Sequence, residues 1–134
     1  MIIGIDINEA NITQRVGVNQ VAFELFTHLV QINDKHRIIA FSKDRPLPDF
    51  PPSSDRLTYE TFGPQKAWVL TGLTKRLLFG HPQIDVLFSP SHYTPLFSFT
   101  PSVIDIMDLS YERFGNEYFT NYDLNQLRRW TPLS

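Results

Sequence analysis

The chain contains no cysteine. That excludes disulfides, thiolate metal sites and a catalytic thiol, and it fits a reducing cytoplasm. It also lacks a surplus of basic charge: 12 Lys and Arg stand against 14 Asp and Glu, a net −2 over 134 residues. A generally basic nucleic-acid binder is therefore excluded. No apolar run approaches the ~20 residues that span a bilayer. The opening Met1-Ile2-Ile3-Gly4-Ile5-Asp6 has neither the basic head nor the long apolar stretch of a signal peptide. What is present is a globular composition, 42% hydrophobic and 13% aromatic, which is not that of a disordered chain. The length suits one domain, or one lobe of a larger protein.

Residues 2–7 form a short apolar run, typical of a strand covered on both faces. Residues 8–17 are polar and read as a loop. Val18, Val21, Ala22, Leu25, Phe26, Leu29 and Ile32 then recur at helical spacing, which predicts an amphipathic helix over 18–32. Residues 37–41 read as a second strand, completing a right-handed parallel crossover. Four prolines between positions 46 and 52 interrupt any regular element, so residues 42–56 read as a loop. Further strands are expected at 57–62, 85–88 and 102–107, with helices at 66–79 and 118–130. The helix at 66–79 is expected to pack on the sheet and show Lys75 and Arg76 to water. The alternation predicts an α/β fold with a doubly wound, mainly parallel sheet. Such sheets bind ligands outside the carboxyl ends of their strands. That rule selects the loops 8–17 and 89–101 and the segment from Asp108 onward.

Several residues in those loops carry chemistry. Arg15-Val16-Gly17-Val18-Asn19 opens the first helix, where exposed amides favour an anion and a glycine permits close approach of a phosphate. Arg15 adds a forked donor, although one glycine is not a dinucleotide fingerprint; a plain strand-to-helix turn with a surface arginine is the alternative. His92 and Tyr93 follow the fourth strand, suited to sugar binding, to acid or base work, or simply to capping a proline-stiffened loop. Asp108 follows the fifth strand and reads either as a functional carboxylate or as a helix cap. Asp6 and Asp105 interrupt apolar strands, and each requires a partner or costs several kcal/mol; for Asp6 the nearby loop amides or Arg15 are the available answers. No spacing of these carboxylates suggests a metal site.

Taken in order, Ile3-Gly4-Ile5-Asp6, Arg15-Val16-Gly17-Val18, Phe23-Glu24-Leu25, Phe41-Ser42-Lys43, Asp85-Val86-Leu87-Phe88-Ser89-Pro90-Ser91-His92-Tyr93, and Pro101-Ser102-Val103 into Asp108-Leu109-Ser110 resemble the N-terminal lobe of family 4 retaining glycosyltransferases. The resemblance implies half of a two-lobed GT-B enzyme that moves a hexose, mannose or glucose, from a nucleotide-sugar to a glycan or lipid-linked acceptor, without a metal or other cofactor. It implies that Arg15, Gly17, Val18 and Asn19 approach the donor diphosphate, that Asn8, His92 and Tyr93 contact the acceptor or sugar, and that Asp108 lies at the catalytic corner. It further implies a cytoplasmic protein, working at the inner membrane surface where the acceptor is lipid-linked, with peripheral membrane contact and a separate C-terminal lobe as partners.

Two departures stand out. The family's His-Asp pair reads Met107-Asp108 here, and a thioether neither donates a hydrogen bond nor carries a proton. Against the family's pattern, residues 1–134 are also expected to form a single N-terminal domain, without the C-terminal nucleotide-sugar-binding domain and its donor motif. Transfer without that half leaves the diphosphate leaving group almost unstabilised, so the expectation is a lobe inactive alone. The alternative is a non-catalytic sugar- or partner-binding module derived from the lobe. A phospho-acceptor domain fits less well, because no lysine follows Asp108.

Overall fold

The computed structural model describes residues 1–64, 66–91, 93–95 and 97–106. Among the described residues, five strands form one sheet: β1 (Ile2–Asp6), β2 (Arg37–Ser42), β3 (Leu57–Thr61), β4 (Val86–Ser89) and β5 (Ser102–Ile104). Their order is β3-β2-β1-β4-β5, and every neighbouring pair is parallel. The chain therefore starts at the centre, winds outward through β2 to β3, then crosses back to β4 on the other side of β1. Right-handed crossovers place the connections of the two halves on opposite faces of the sheet. This is a doubly wound α/β fold.

The two faces are legible in β2, whose residues alternate between them. Ile38 and Ala40 join Ile5, Ile7 and Leu57 beneath Ala22 and Phe26 of the helix α1 (Val18–Ile32). Ile39 and Phe41 join Ile84 and Leu87 beneath Trp68, Leu73 and Leu77. Phe26 is fully buried, a contribution of roughly 1.5–3 kcal/mol. Gly4 faces the second cluster, where an added Cβ would overlap the Ile84 Cδ1 and come within 2.7 Å of the Phe41 ring. Between β2 and β3, no helix forms. The proline-rich connection inserts Phe50 into the α1 face instead, against Phe23 at 5.2 Å and Phe26 at 5.6 Å between ring centroids. α1 covers β1 and β2 but leaves Val86, Phe88 and Val103 facing an open apolar groove of about 530 Å³ along the flank of Leu25 and Leu29.

Three expectations are corrected. The second helix does not begin at Lys66: Ala67 has a positive φ of 52°, a left-handed backbone that breaks the helix. The segment runs as a turn, a π-helical turn (Val69–Leu73) and then α2 (Thr74–Phe79). Arg76 does not face water, since its side chain is 10% exposed. Its Nε and Nη2 donate to the Glu60 carboxylate at 2.6 and 3.0 Å, and its guanidinium lies 5.2 Å from the Phe41 ring centroid. A paired guanidinium is a better fit to a half-buried site than a lone ammonium, because it is planar and weakly hydrated. β5 ends at Ile104, so Asp105 lies just past the strand, its N–H donating to the Ser89 carbonyl at 3.1 Å. The expected helix at 118–130 lies outside the described residues. Among those residues, no helix is long and apolar enough to cross a membrane.

Candidate functional site

Because every strand is parallel, all five carboxyl ends share one rim. β1 delivers Asp6 and the loop 8–17 there, β2 delivers the loop 43–49, and β4 delivers Ser89 and the residues after it. α1 starts at this rim. Gly17 holds φ 53° and ψ −121° at its first turn, a conformation essentially reserved for glycine. No side chain caps the helix and no acidic residue lies in its first turn, so its positive end is unneutralised by α1 itself.

Asp6 meets the requirement of a buried carboxylate through the loop amides. Its Oδ1 accepts the Asn8 backbone N–H at 3.0 Å and the Asn8 Nδ2 at 2.7 Å. Burial nevertheless pushes its pKa up to about 6; the Asn8 hydrogen bonds and Lys43 oppose the rise, and Glu9 adds to it. Asn8 in turn accepts the Lys43 backbone N–H at 2.9 Å. Its side chain thus bridges β1 and the loop after β2.

Arg15 serves the loop rather than Asp6. Its Nε donates to the Ala10 carbonyl at 2.6 Å, and both terminal nitrogens pair with the Asp49 carboxylate, Nη2 to Oδ1 at 3.1 Å. The guanidinium also lies over Phe23, 3.8 Å from the ring centroid, where the face of the ring attracts a cation. Arg15 holds the Asp49 carboxyl below the usual carboxylate range, chiefly by hydrogen bonding. Asn11 completes this join, donating to the carbonyls of Asp44 and Arg45 and accepting the Leu47 N–H at 2.9 Å.

On the β4 side, Asn19 from the first turn of α1 reaches back to Glu9, its Nδ2 lying 2.9 Å from Oε2 and 3.0 Å from the Glu9 carbonyl. Tyr93 comes close enough to Glu9 for that charge to add to burial in raising the phenol pKa. The turn carrying Tyr93 is fixed by Ser89, whose Oγ donates to the Tyr93 carbonyl at 2.8 Å and lies 3.1 Å from Ser91 Oγ.

The rim therefore gathers Asn8, Asn19 and Tyr93, with Gly17 and Val18 at the helix start, while Arg15 is turned onto Asp49. His92, Met107 and Asp108 lie outside the described residues. Sequence reasoning placed Glu9 in a rim loop without singling it out, and missed the whole 43–49 loop as part of this rim. Spacing gave no signal for the loop, since its ties to Asn8, Asn11 and Arg15 join residues more than thirty positions apart. Chemically, the Glu9 carboxylate, the Asn19 amide and a tyrosine ring are groups that receive hydroxyl donors and a sugar face. Among the described residues, no group of three or more His, Asp or Glu is placed to hold a metal ion. No protein-family model, no curated protein and no solved structure matches the chain.

Proposed function

We propose that this chain is the acceptor-side lobe of a retaining, GT-B glycosyltransferase that transfers a hexose from a nucleotide-sugar to a glycan or lipid-linked acceptor, and that it is inactive alone. The observation that carries the reading is the convergence of Glu9, Asn19 and Tyr93 on the carboxyl rim beside a glycine-opened helix. The ordered sequence resemblance and the β3-β2-β1-β4-β5 parallel order support it. In this reading Glu9 and Asn19 take acceptor hydroxyls, Tyr93 offers its ring face, and the backbone of Gly17 to Asn19 faces the donor diphosphate at the start of α1. Arg15 acts on the loop, holding it to Asp49. A partner C-terminal lobe supplies the nucleotide site, and the protein works in the cytoplasm, touching the inner membrane surface when its acceptor is lipid-linked.

The experiment is complementation with a C-terminal lobe from a family 4 glycosyltransferase and a labelled nucleotide-sugar. Transfer with retained anomeric configuration, seen with both lobes and with neither alone, supports the proposal. Transfer by this chain alone refutes its inactivity. The second reading, a non-catalytic sugar- or partner-binding module, is favoured by the engagement of Arg15 with Asp49 and by Met107 in the position of the family histidine. Binding of a glycan without restored transfer, even after Met107→His, selects that reading.

A further inference from the structure

Asp6 ends β1 with only 5% of its surface exposed, and its carboxylate is the first link of a relay. Asp6 Oδ1 takes both the backbone and side-chain N–H of Asn8. With its N–H groups so directed, the Asn8 amide presents its own oxygen to the Lys43 N–H at the head of the next loop. Asn11 carries the join onward to Asp44, Arg45 and Leu47. A hydrogen bond to an ionised acceptor is roughly twice as strong as one to a neutral acceptor. The charge on a single buried group thus bears on two loops of the rim.

We propose that Asp6 is a proton-sensitive latch: ionised, it seats Asn8 and through it the 43–49 loop against the carboxyl rim; protonated, it loosens both. Asp6 is a positioning residue in this scheme. The charged groups that face it are Glu9 from its own loop, which favours the proton, and Lys43 from the end of β2, which opposes it. From the β4 side the titratable group is Tyr93, which lies near enough for the Glu9 charge to act on its phenol. The latch does not depend on the sugar-handling reading, because every group in it belongs to the chain and its readout needs no ligand.

The test is nuclear magnetic resonance of the whole chain between pH 4.5 and 7.5. The Asn8 backbone and side-chain amides and the Lys43 amide should titrate with one midpoint, near the value of about 6 to which burial brings Asp6. Protection of the Lys43 amide from hydrogen exchange, corrected for the pH dependence of the exchange chemistry, should fall at least about threefold below that midpoint. Asp6→Asn should abolish both changes. Asn8→Ala should leave the Asp6 carboxyl titrating while silencing Lys43, which separates the relay from a direct field effect. An unchanged Lys43 protection in the wild-type chain overturns the proposal, and so does a Lys43 amide that still follows Asp6 in Asn8→Ala. If Asn8→Ala does not fold, the wild-type exchange measurement decides alone.

Discussion

Arg15 and Asp49, 34 residues apart in the chain, form a two-pronged ion pair that joins the loop after β1 to the loop after β2. The arginine is 10% exposed and the aspartate 52%, so the pair sits half in water. Its charge term is correspondingly small, about 0.2–1 kcal/mol. The larger share belongs to the stacking of the guanidinium on Phe23 and its bond to the Ala10 carbonyl.

That division predicts unequal effects for the two partners. Asp49→Asn should cost about 0.5–1 kcal/mol, and the loss should shrink in high salt. Arg15→Ala should cost about 1–3 kcal/mol with little salt dependence, because packing is removed along with the charge. Urea denaturation at low and high ionic strength measures both, and equal salt-sensitive losses would contradict the division.

Asp6 sets a pH dependence of the opposite sense to most acidic groups. Burial holds its pKa in the folded chain at about 6, above the ordinary aspartate value of 3.8, so the folded chain binds the proton more tightly than the unfolded chain. Its stabilising contribution to the fold as a whole is full below about 4 and is lost as pH rises through 6, because the proton relieves the cost of burying the charge even as it weakens the Asn8 bonds that seat the two loops. The two-unit difference corresponds to on the order of 3 kcal/mol. Between pH 7 and 4.5 the wild-type Tm should rise, before other carboxylates reverse the trend. In Asp6→Asn this rise should be absent. A wild-type Tm that is flat or falling over that interval would count against the assignment.

Gly17 marks where α1 begins, and its φ of 53° with ψ of −121° is closed to residues with a Cβ. No neighbour lies within 4 Å of an added Cβ there, so the cost of Gly17→Ala is one of backbone strain alone, about 1–3 kcal/mol. Gly4→Ala should cost a similar amount for the other reason, overlap with Ile84 and Phe41. A compensating Ile84→Val should recover part of the loss in Gly4→Ala and none in Gly17→Ala. Thermal unfolding of the four variants distinguishes strain from overlap.

Much of this architecture is written locally. α1 runs over the residues its apolar spacing indicates, because an amphipathic stripe over a sheet demands that period. The doubly wound arrangement followed from the alternation of strand and helix. What local pattern does not carry is long-range polar pairing. In sequence the side chain of Arg15 reads as a donor for phosphate or as a surface arginine, and its pairing with Asp49 arises only from the approach of the second loop. Arg76 is a similar case, since Glu60 lies sixteen positions away on β3. The break at Ala67 was hidden as well: nothing in the apolar spacing of the segment reveals a left-handed residue two positions before the π-helical turn.

Loss of Asn19 should disturb the rim without unfolding the chain. Asn19→Ala removes two hydrogen bonds to Glu9 and one half-exposed amide, an expected cost of about 0.5–1.5 kcal/mol. Glu9 and Tyr93 resonances should shift while those of β3 stay in place. A shift spread evenly over the sheet would mean that Asn19 supports the fold rather than the rim.

The most direct test of the sugar-handling account is shift mapping on the intact chain with a panel of oligosaccharides, including lipid-linked glycans in detergent micelles. The account predicts saturable perturbations gathered at Asn8, Glu9, Asn19 and Tyr93, weakened by Tyr93→Ala. Saturable binding that maps instead to the amino ends of the strands, or no binding by any glycan of the panel, would contradict it.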